Sequence, residues 1–405
     1  MDSIIKKKYS STYMFYIVLI LMVWAQDFLW FVTAIVYKIP MISQFSSYAV
    51  PILFGIVTIK AFRYIKKIKQ YSWLVFVSFA SIYLLNYLIF PNNVDGLDET
   101  AFSFFVIVLP CFLLSTTLDF TEEICKIMNW VSCICIYLFW AYFILKITGA
   151  STLTESGETD YLSFAYMLLP LLTYVIWQTF EKWNVFNIVT SFIGILSLFS
   201  LGNRGSIICV LVFVFFYFFF LKEYKHKFRS VSSLIIAIGT ILFFIDPILD
   251  YMYEWSESMG LSTRVFDSIQ DETMMDYDNS SGRDKLAVRV FAILYEHPFG
   301  VGIAGLKGYG IEYSHNILFD LLVEYGVLLG GLMIFTIAYI YIQGFIKSRS
   351  REEKGFGLVL ICSAFIQLMF SHSYIVNWLF FFSLGYFLNI IKRIKIKDLS
   401  QTITV

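Results

Sequence analysis

The residues best equipped for chemistry gather between Ser280 and Gly326. There Arg283, Arg289, a run of glycines and the pair His315–Asn316 lead up to an acid, Glu324. Guanidinium groups are planar forks that clamp phosphate oxygens bidentately. An imidazole takes and returns a proton near neutral pH, as a general base must. This polar stretch interrupts an otherwise apolar chain, and charge beside a bilayer is expensive enough to ask for a functional reason. A further arginine, Arg204, lies in LFSLGNRGSIICV between Gly202 and Gly205. It reads either as an arginine snorkelling from a helix end or as a second phosphate clamp, the glycines giving its guanidinium room to approach.

The elements that position these groups must be membrane helices. Of 405 residues, 59% are hydrophobic and 20% aromatic, more apolar surface than a water-soluble fold can hide. The sequence predicts an all-α polytopic membrane protein with about twelve transmembrane helices, at 13–36, 45–63, 71–90, 101–118, 128–147, 161–180, 185–201, 206–221, 231–247, 317–345, 355–371 and 374–391. Residues 1–405 form a single integral membrane domain in this scheme, and 248–314 form one large extracytoplasmic loop containing a short amphipathic helix.

Basic residues set the orientation. Lys6, Lys7 and Lys8, then Lys60 to Lys69, Lys222 to Arg229, Lys347 to Lys354 and Lys392 to Lys397 all fall on one side if the count is twelve, which makes that side cytoplasmic along with both termini. The alternate loops are poor in base and carry Asp95, Asp98, Glu99, Glu155, Glu158 and Asp160. The first apolar run is too long for a cleaved leader and no small-x-small site follows it, so it is expected to stay as a span. Six cysteines lie in or beside spans, a placement that suggests neither a disulfide framework nor a zinc site.

Within the outward loop, 248–279 is acidic and turn-rich. From 283 to 296, Leu286, Val290, Ile293 and Leu294 recur at one-face spacing, which predicts a helix capped by Ser281 with Asp284 and stopped at His297–Pro298. Arg283 falls within the apolar arc and is expected to point toward the membrane domain, whereas Arg289 falls on a wetter flank with Lys285 and Glu296. The segment FGVGIAGLKGYG that follows is either a flexible connector or a loop carrying function. His315 and Asn316 open the tenth span. Glu324 lies inside that span and needs a partner, for which a loop arginine is the obvious candidate.

The remaining candidates are read as structural. His372, in FSHSYIVNW, has no companion acid or base nearby, and His226 lies among lysines. Asp276 and Asp278 form an acid-x-acid pair able to hold a divalent cation, but they sit in a generally acidic loop. No metal and no cofactor is expected.

Taken in order, N-R-G at 203–205, S-G-R with an amphipathic helix, H-P-F-G-V-G, H-N and E-x-G at 324–326 resemble the bacterial O-antigen polymerase and ligase family of membrane glycosyltransferases (Wzy-type). The resemblance spans roughly Leu201 to Gly326; the N-terminal half resembles the family only in hydropathy. It implies an enzyme of the bacterial cytoplasmic membrane that joins glycans carried on a polyprenyl diphosphate at its outer face, without a metal. It implies catalytic roles for His315, Arg204 and Arg283, and substrate-binding roles for Arg289, Asn316 and Glu324; either Arg283 or Arg289 fills the second basic role. The implied partners are a polyprenyl-diphosphate-linked glycan donor and an acceptor, the lipid bilayer and a chain-length regulator protein, with no nucleic acid. The expected function is polymerisation of oligosaccharide repeat units into a surface polysaccharide; transfer of finished glycan to another acceptor by a ligase shares every motif. A flippase or transporter is the alternative from a different class. Against it, the spans are almost free of charge, Asp27 and Glu324 being the main exceptions, and the two halves look unrelated.

Overall fold

The computed structural model describes residues 69–118, 120–147, 159–201, 203–222 and 283–403, with isolated positions at 20–21, 23–25, 55–56, 251, 253–254 and 258. The spans expected at 13–36, 45–63 and 231–247 lie largely outside these residues. So do Asp27, His226, the Asp276–Asp278 pair and the Ser281 cap. Among the described residues every element is helical. We number the α-helices α1 Lys69–Ile89, α2 Val94–Ser103, α3 Leu109–Ser115, α4 Glu122–Ile147, α5 Thr159–Glu181, α6 Val185–Ser200, α7 Arg204–Phe216, α8 Arg283–Glu296, α9 Ile317–Lys347, α10 Arg351–Leu360 and α11 Trp378–Ile403. Four helical runs are long and apolar enough to cross a bilayer: Pro91–Ser115, Glu122–Ala141, Arg204–Leu221 and Ile317–Lys347. Apolar helices of this length fit a membrane protein.

The chain divides into two compact units. One comprises Met1–Ile124, Arg283–Ser350 and Ala364–Val405; the other comprises Cys125–Gly282 and Arg351–Ser363.

In the first unit α11 packs on α3 and α9. Asn389 donates from Nδ2 to the Leu118 carbonyl at 2.7 Å, so a buried amide satisfies a backbone carbonyl in the turn that follows α3. The acids Asp95, Asp98 and Glu99 stand in α2, not in a loop, because Pro91 opens a 3-10 turn over Pro91–Asn93 that runs straight into the helix. Proline suits that first turn, where its missing N–H would have had no helical acceptor. Asp98 accepts the Tyr87 hydroxyl and Glu99 pairs with Lys307.

In the second unit α5 packs on α6, α7 and α10. The buried Tyr174 hydroxyl donates to the Cys125 carbonyl at 3.0 Å. Arg351 Nε meets Glu181 at 2.6 Å, and the Tyr217 hydroxyl donates to the same carboxylate at 3.2 Å.

Candidate functional site

The chain from α8 to α9, in the first unit, builds the site. α8 covers the predicted residues and ends where predicted, the His297 N–H donating to the Ile293 carbonyl at 2.8 Å just before Pro298. Its Val290 and Ile293 are buried with Val301, Leu306, Ile311 and Val323, and Leu286 and Leu294 pack against that cluster. This burial fixes α8 on the glycine-rich segment and on the first turns of α9.

That segment is therefore not a free connector. Val301 N–H donates to the Val323 carbonyl at 2.9 Å, Gly302 N–H to the Glu324 carbonyl at 3.0 Å, and Val327 N–H to the Pro298 carbonyl at 2.9 Å. A regular helix would have engaged the Val323 and Glu324 carbonyls itself. They are open to the loop because α9 breaks at Gly326, with φ 78° and ψ 169°. The continuous span expected over 317–345 is thus corrected to two helical pieces. Only glycine fits the crossing: a Cβ on Gly326 would lie 2.5 Å from the Phe299 carbonyl carbon, and one on Gly300 (φ 93°) 2.5 Å from the Glu324 oxygen. Asn93 Nδ2 donates to the Val301 and Ile303 carbonyls at 2.8 and 3.1 Å, and Asn86 accepts the Ile303 N–H at 2.8 Å, tying the loop to the end of α1 and the turn after it.

Glu324 is buried and its partners are not arginines. One carboxylate oxygen accepts the Ala304 N–H at 3.0 Å and the other the Tyr374 hydroxyl, whose oxygen lies 3.2 Å from the Tyr325 hydroxyl. A backbone N–H carried in by the loop satisfies the carboxylate without stripping water from a guanidinium, the costly part of a buried ion pair. Ala304 holds that N–H in place with a left-handed φ of 58°.

The two loop arginines are both exposed. For Arg283 this overturns the expected inward orientation: it is the first residue of α8, where the helix end opens even the apolar arc to water. Its charge nevertheless acts on His315 and Tyr313. Arg289 donates from Nη2 to the Tyr309 carbonyl at 2.8 Å, and the Tyr309 hydroxyl meets His297 Nε2 at 2.8 Å.

His315 is the most constrained of the candidates. Asn316 caps α9, its side-chain oxygen accepting the Leu318 N–H at 2.9 Å. Ser314 Oγ donates to the Asn316 carbonyl at 2.8 Å and accepts the Asn316 N–H at 3.2 Å; Ser314 N–H donates to Asp320 Oδ1 at 2.8 Å. Between these two pinned residues His315 is forced to φ 60°. Left-handed backbone at a non-glycine residue costs about 1–3 kcal/mol and persists only where the surroundings impose it. The half-buried ring lies against Tyr313, centroids 4.4 Å apart, and its Nδ1 is buried with no hydrogen-bond partner among the described residues. Burial first, and the Arg283 charge second, hold the His315 pKa below its ordinary value. The neutral, proton-accepting imidazole is therefore the form present near pH 7.

Two residues escaped the sequence. Asp320 is buried, with one oxygen on Ser314 N–H and Oδ2 unpartnered among the described residues. Its signal was the same as that of Glu324, an acid inside an apolar span. Tyr374 carried no such signal, since nothing in the sequence links it to a carboxylate fifty residues away. His372 is exposed, with φ 76°, close to Tyr374 in the chain.

Arg204 stands in the second unit as the exposed first residue of α7. Asn203 caps that helix, accepting the Ser206 N–H at 3.2 Å, and Ser206 Oγ returns a bond to the Asn203 carbonyl at 2.9 Å. The asparagine of the N-R-G element thus has a local structural role, and the arginine is what it presents. Among the described residues no cluster of histidine, cysteine, aspartate or glutamate has metal-binding geometry.

Helices fit for a membrane, with every described element helical, a constrained histidine, a nearby arginine and buried acids are the class these observations define. Residues 189–336, which include Arg204, Arg283, Arg289, His315, Asn316 and Glu324, match the family model described as O-antigen ligase, consistent with the O-antigen polymerase and ligase family. No curated protein and no solved structure matches the chain. The family match points to a polysaccharide-related membrane enzyme.

Proposed function

We propose that this protein is a glycosyltransferase that joins polyprenyl-diphosphate-linked oligosaccharide repeat units into a surface polysaccharide at the outer face of the bacterial cytoplasmic membrane. The observation that carries the proposal is His315: strained, half-buried, kept neutral and placed within reach of the Arg283 charge, inside the segment that matches the family. An acceptor sugar hydroxyl attacks the anomeric carbon of the donor glycan. Its proton passes to His315 as the new glycosidic bond forms. The bond between that carbon and the diphosphate oxygen breaks, and the leaving polyprenyl diphosphate keeps the electron pair. Arginines stabilise the negative charge gathering on the diphosphate: Arg283 or Arg289 from the loop, a role for which the family resemblance also nominates Arg204 of the N-R-G element. Glu324 serves as a brace in this scheme, holding the loop and Tyr374 to the broken helix, and Asn316 fixes the backbone on which His315 sits.

Replacing His315 or Arg204 with alanine is expected to abolish long polymer while the protein remains in the membrane at normal abundance. Normal polymer length in both variants sinks the proposal. The description of the matched family favours a second reading, a ligase that moves finished glycan to another acceptor. Sugar banding separates the two. Loss of a polymerase leaves single repeat units on the final acceptor, whereas loss of a ligase leaves polymer on the carrier lipid.

A further inference from the structure

α8 has two apolar faces, and only one is used inside the protein. At about 100° per residue, Leu286, Val290, Ile293 and Leu294 share the arc that packs on the loop and α9. Val288, Phe291 and Tyr295 fall on the opposite arc, following Asp284 in the first turn, and are 60%, 52% and 88% exposed. Lys285, Arg289 and Glu296 occupy the flank between them. A helix apolar on both sides is normally buried on both sides, yet this second stripe stays largely open, with the Phe291 ring meeting that of Phe319.

The stripe does not end with the helix. Phe299, 85% exposed, follows it, and its backbone lies against Gly326, while the neighbouring Val327 N–H bonds Pro298. From Val327 onward the exposed side of α9 continues as Leu328, Leu329, Leu332 and Phe335. The outer surface of a membrane-crossing helix thus runs without a break, through Phe299, onto the open face of α8. Aromatic residues at such a junction suit the interface between headgroups and acyl chains, and a flanking Lys and Arg suit lipid phosphate.

We propose that α8 lies in the interfacial layer of the membrane. Val288, Phe291, Tyr295 and Phe299 dip into the acyl boundary, and Lys285 and Arg289 reach the headgroups. The occupant of the face is lipid, because the face adjoins the exposed apolar side of a helix long and apolar enough to cross a bilayer. The inference is independent of the glycan chemistry. It has a consequence for it, however: an interfacial α8 would hold Arg283 and the adjoining His315 at phosphate depth.

Site-directed fluorescence on the full chain in lipid nanodiscs tests this. The native cysteines are all buried, so a water-soluble environment-sensitive dye will label the introduced thiols of V288C, Y295C, F299C, K285C and E296C. Each variant is first matched to the parent by size-exclusion profile. Dyes at 288, 295 and 299 are expected to be quenched severalfold more by nitroxides near the lipid headgroup than by a water-soluble quencher, with a clearly smaller ratio at 285 and 296, whose flank faces headgroups and water. Equal access of the water-soluble quencher to all five positions overturns the proposal, as does strongest quenching by nitroxides at the bilayer centre. Protection of the stripe by self-association, seen as dye–dye quenching in discs holding two copies but not one, overturns it too.

Discussion

Two helices in this protein begin in the same way, and the candidate residues beside their caps behave differently. At α7, Asn203 caps and Arg204 follows the cap, already helical and exposed. At α9, Asn316 caps and His315 precedes the cap, in left-handed backbone and half-buried. A residue after a cap inherits regular helical geometry and projects with little cost. A residue before a cap must accept whatever turn brings the chain in, and here hydrogen bonds from Ser314 to Asn316 and Asp320 leave one conformation. The lesson is that rigidity is concentrated at the histidine. That matches the chemistry proposed for each, since a phosphate clamp tolerates some freedom and a proton acceptor needs a fixed position.

Variants that divide strain from chemistry test the comparison most severely. His315→Asn keeps a residue that tolerates left-handed backbone and removes the base. It is expected to unfold at or above the parent temperature while making no long polymer; retained polymerisation would show that the histidine serves only the turn. Arg204→Ala should lose polymer while the protein still folds, and it should destabilise less than Gly326→Ala because its backbone carries no strain.

Next in size is the crossing that supports the histidine's helix. Gly326→Ala must accept an unfavourable φ and a backbone contact near 2.5 Å, and should destabilise by about 2 kcal/mol or more. Detergent-solubilised unfolding curves will read this directly, and an unchanged midpoint would argue that α9 can straighten. A smaller effect separates the two caps. Asn203→Ala and Asn316→Ala should each cost about 1 kcal/mol of stability, but only the second should also lower the rate per folded molecule, since it releases His315. Equal rate losses would erase the distinction drawn here.

The smallest expected effect concerns pH. Burial and Arg283 both lower the His315 pKa, so activity that needs the neutral ring should hold through pH 6.5 and fall only as pH drops through the lowered value. Removing the charge in Arg283→Gln raises that pKa again and moves the acid limb of the profile upward by a fraction of a pH unit, more at low salt because the arginine is exposed. A limb that stays put, or moves toward acid, would disconnect the two residues.

Much of the scaffold was legible because helices obey local rules. The 3.6-residue pattern gave α8 its packed face, and Pro298 gave its end. The apolar runs at 128–147, 161–180 and 185–201 became α4, α5 and α6 within a few residues. Counting apolar residues failed where a helix opened by Pro91 carried acids in its first turns. Asp95, Asp98 and Glu99 looked like loop residues but are helical, two of them tied to Tyr87 and Lys307. The break in α9 was invisible because Gly326 is also acceptable in a membrane helix; what makes it break is the loop whose N–H groups take the freed carbonyls.

By itself, then, the sequence determined a helical membrane protein and nominated a neighbourhood for the site, because bilayer-length apolar runs and misplaced polar residues are properties of composition and spacing. Tertiary structure decided which nominated groups are held and how. It gave Glu324 a backbone amide and Tyr374 in place of an arginine, left Arg283 exposed, and turned His315 into a strained, neutral imidazole. Those outcomes depend on desolvation and on hydrogen bonds between residues far apart in the chain, and neither is written in local sequence.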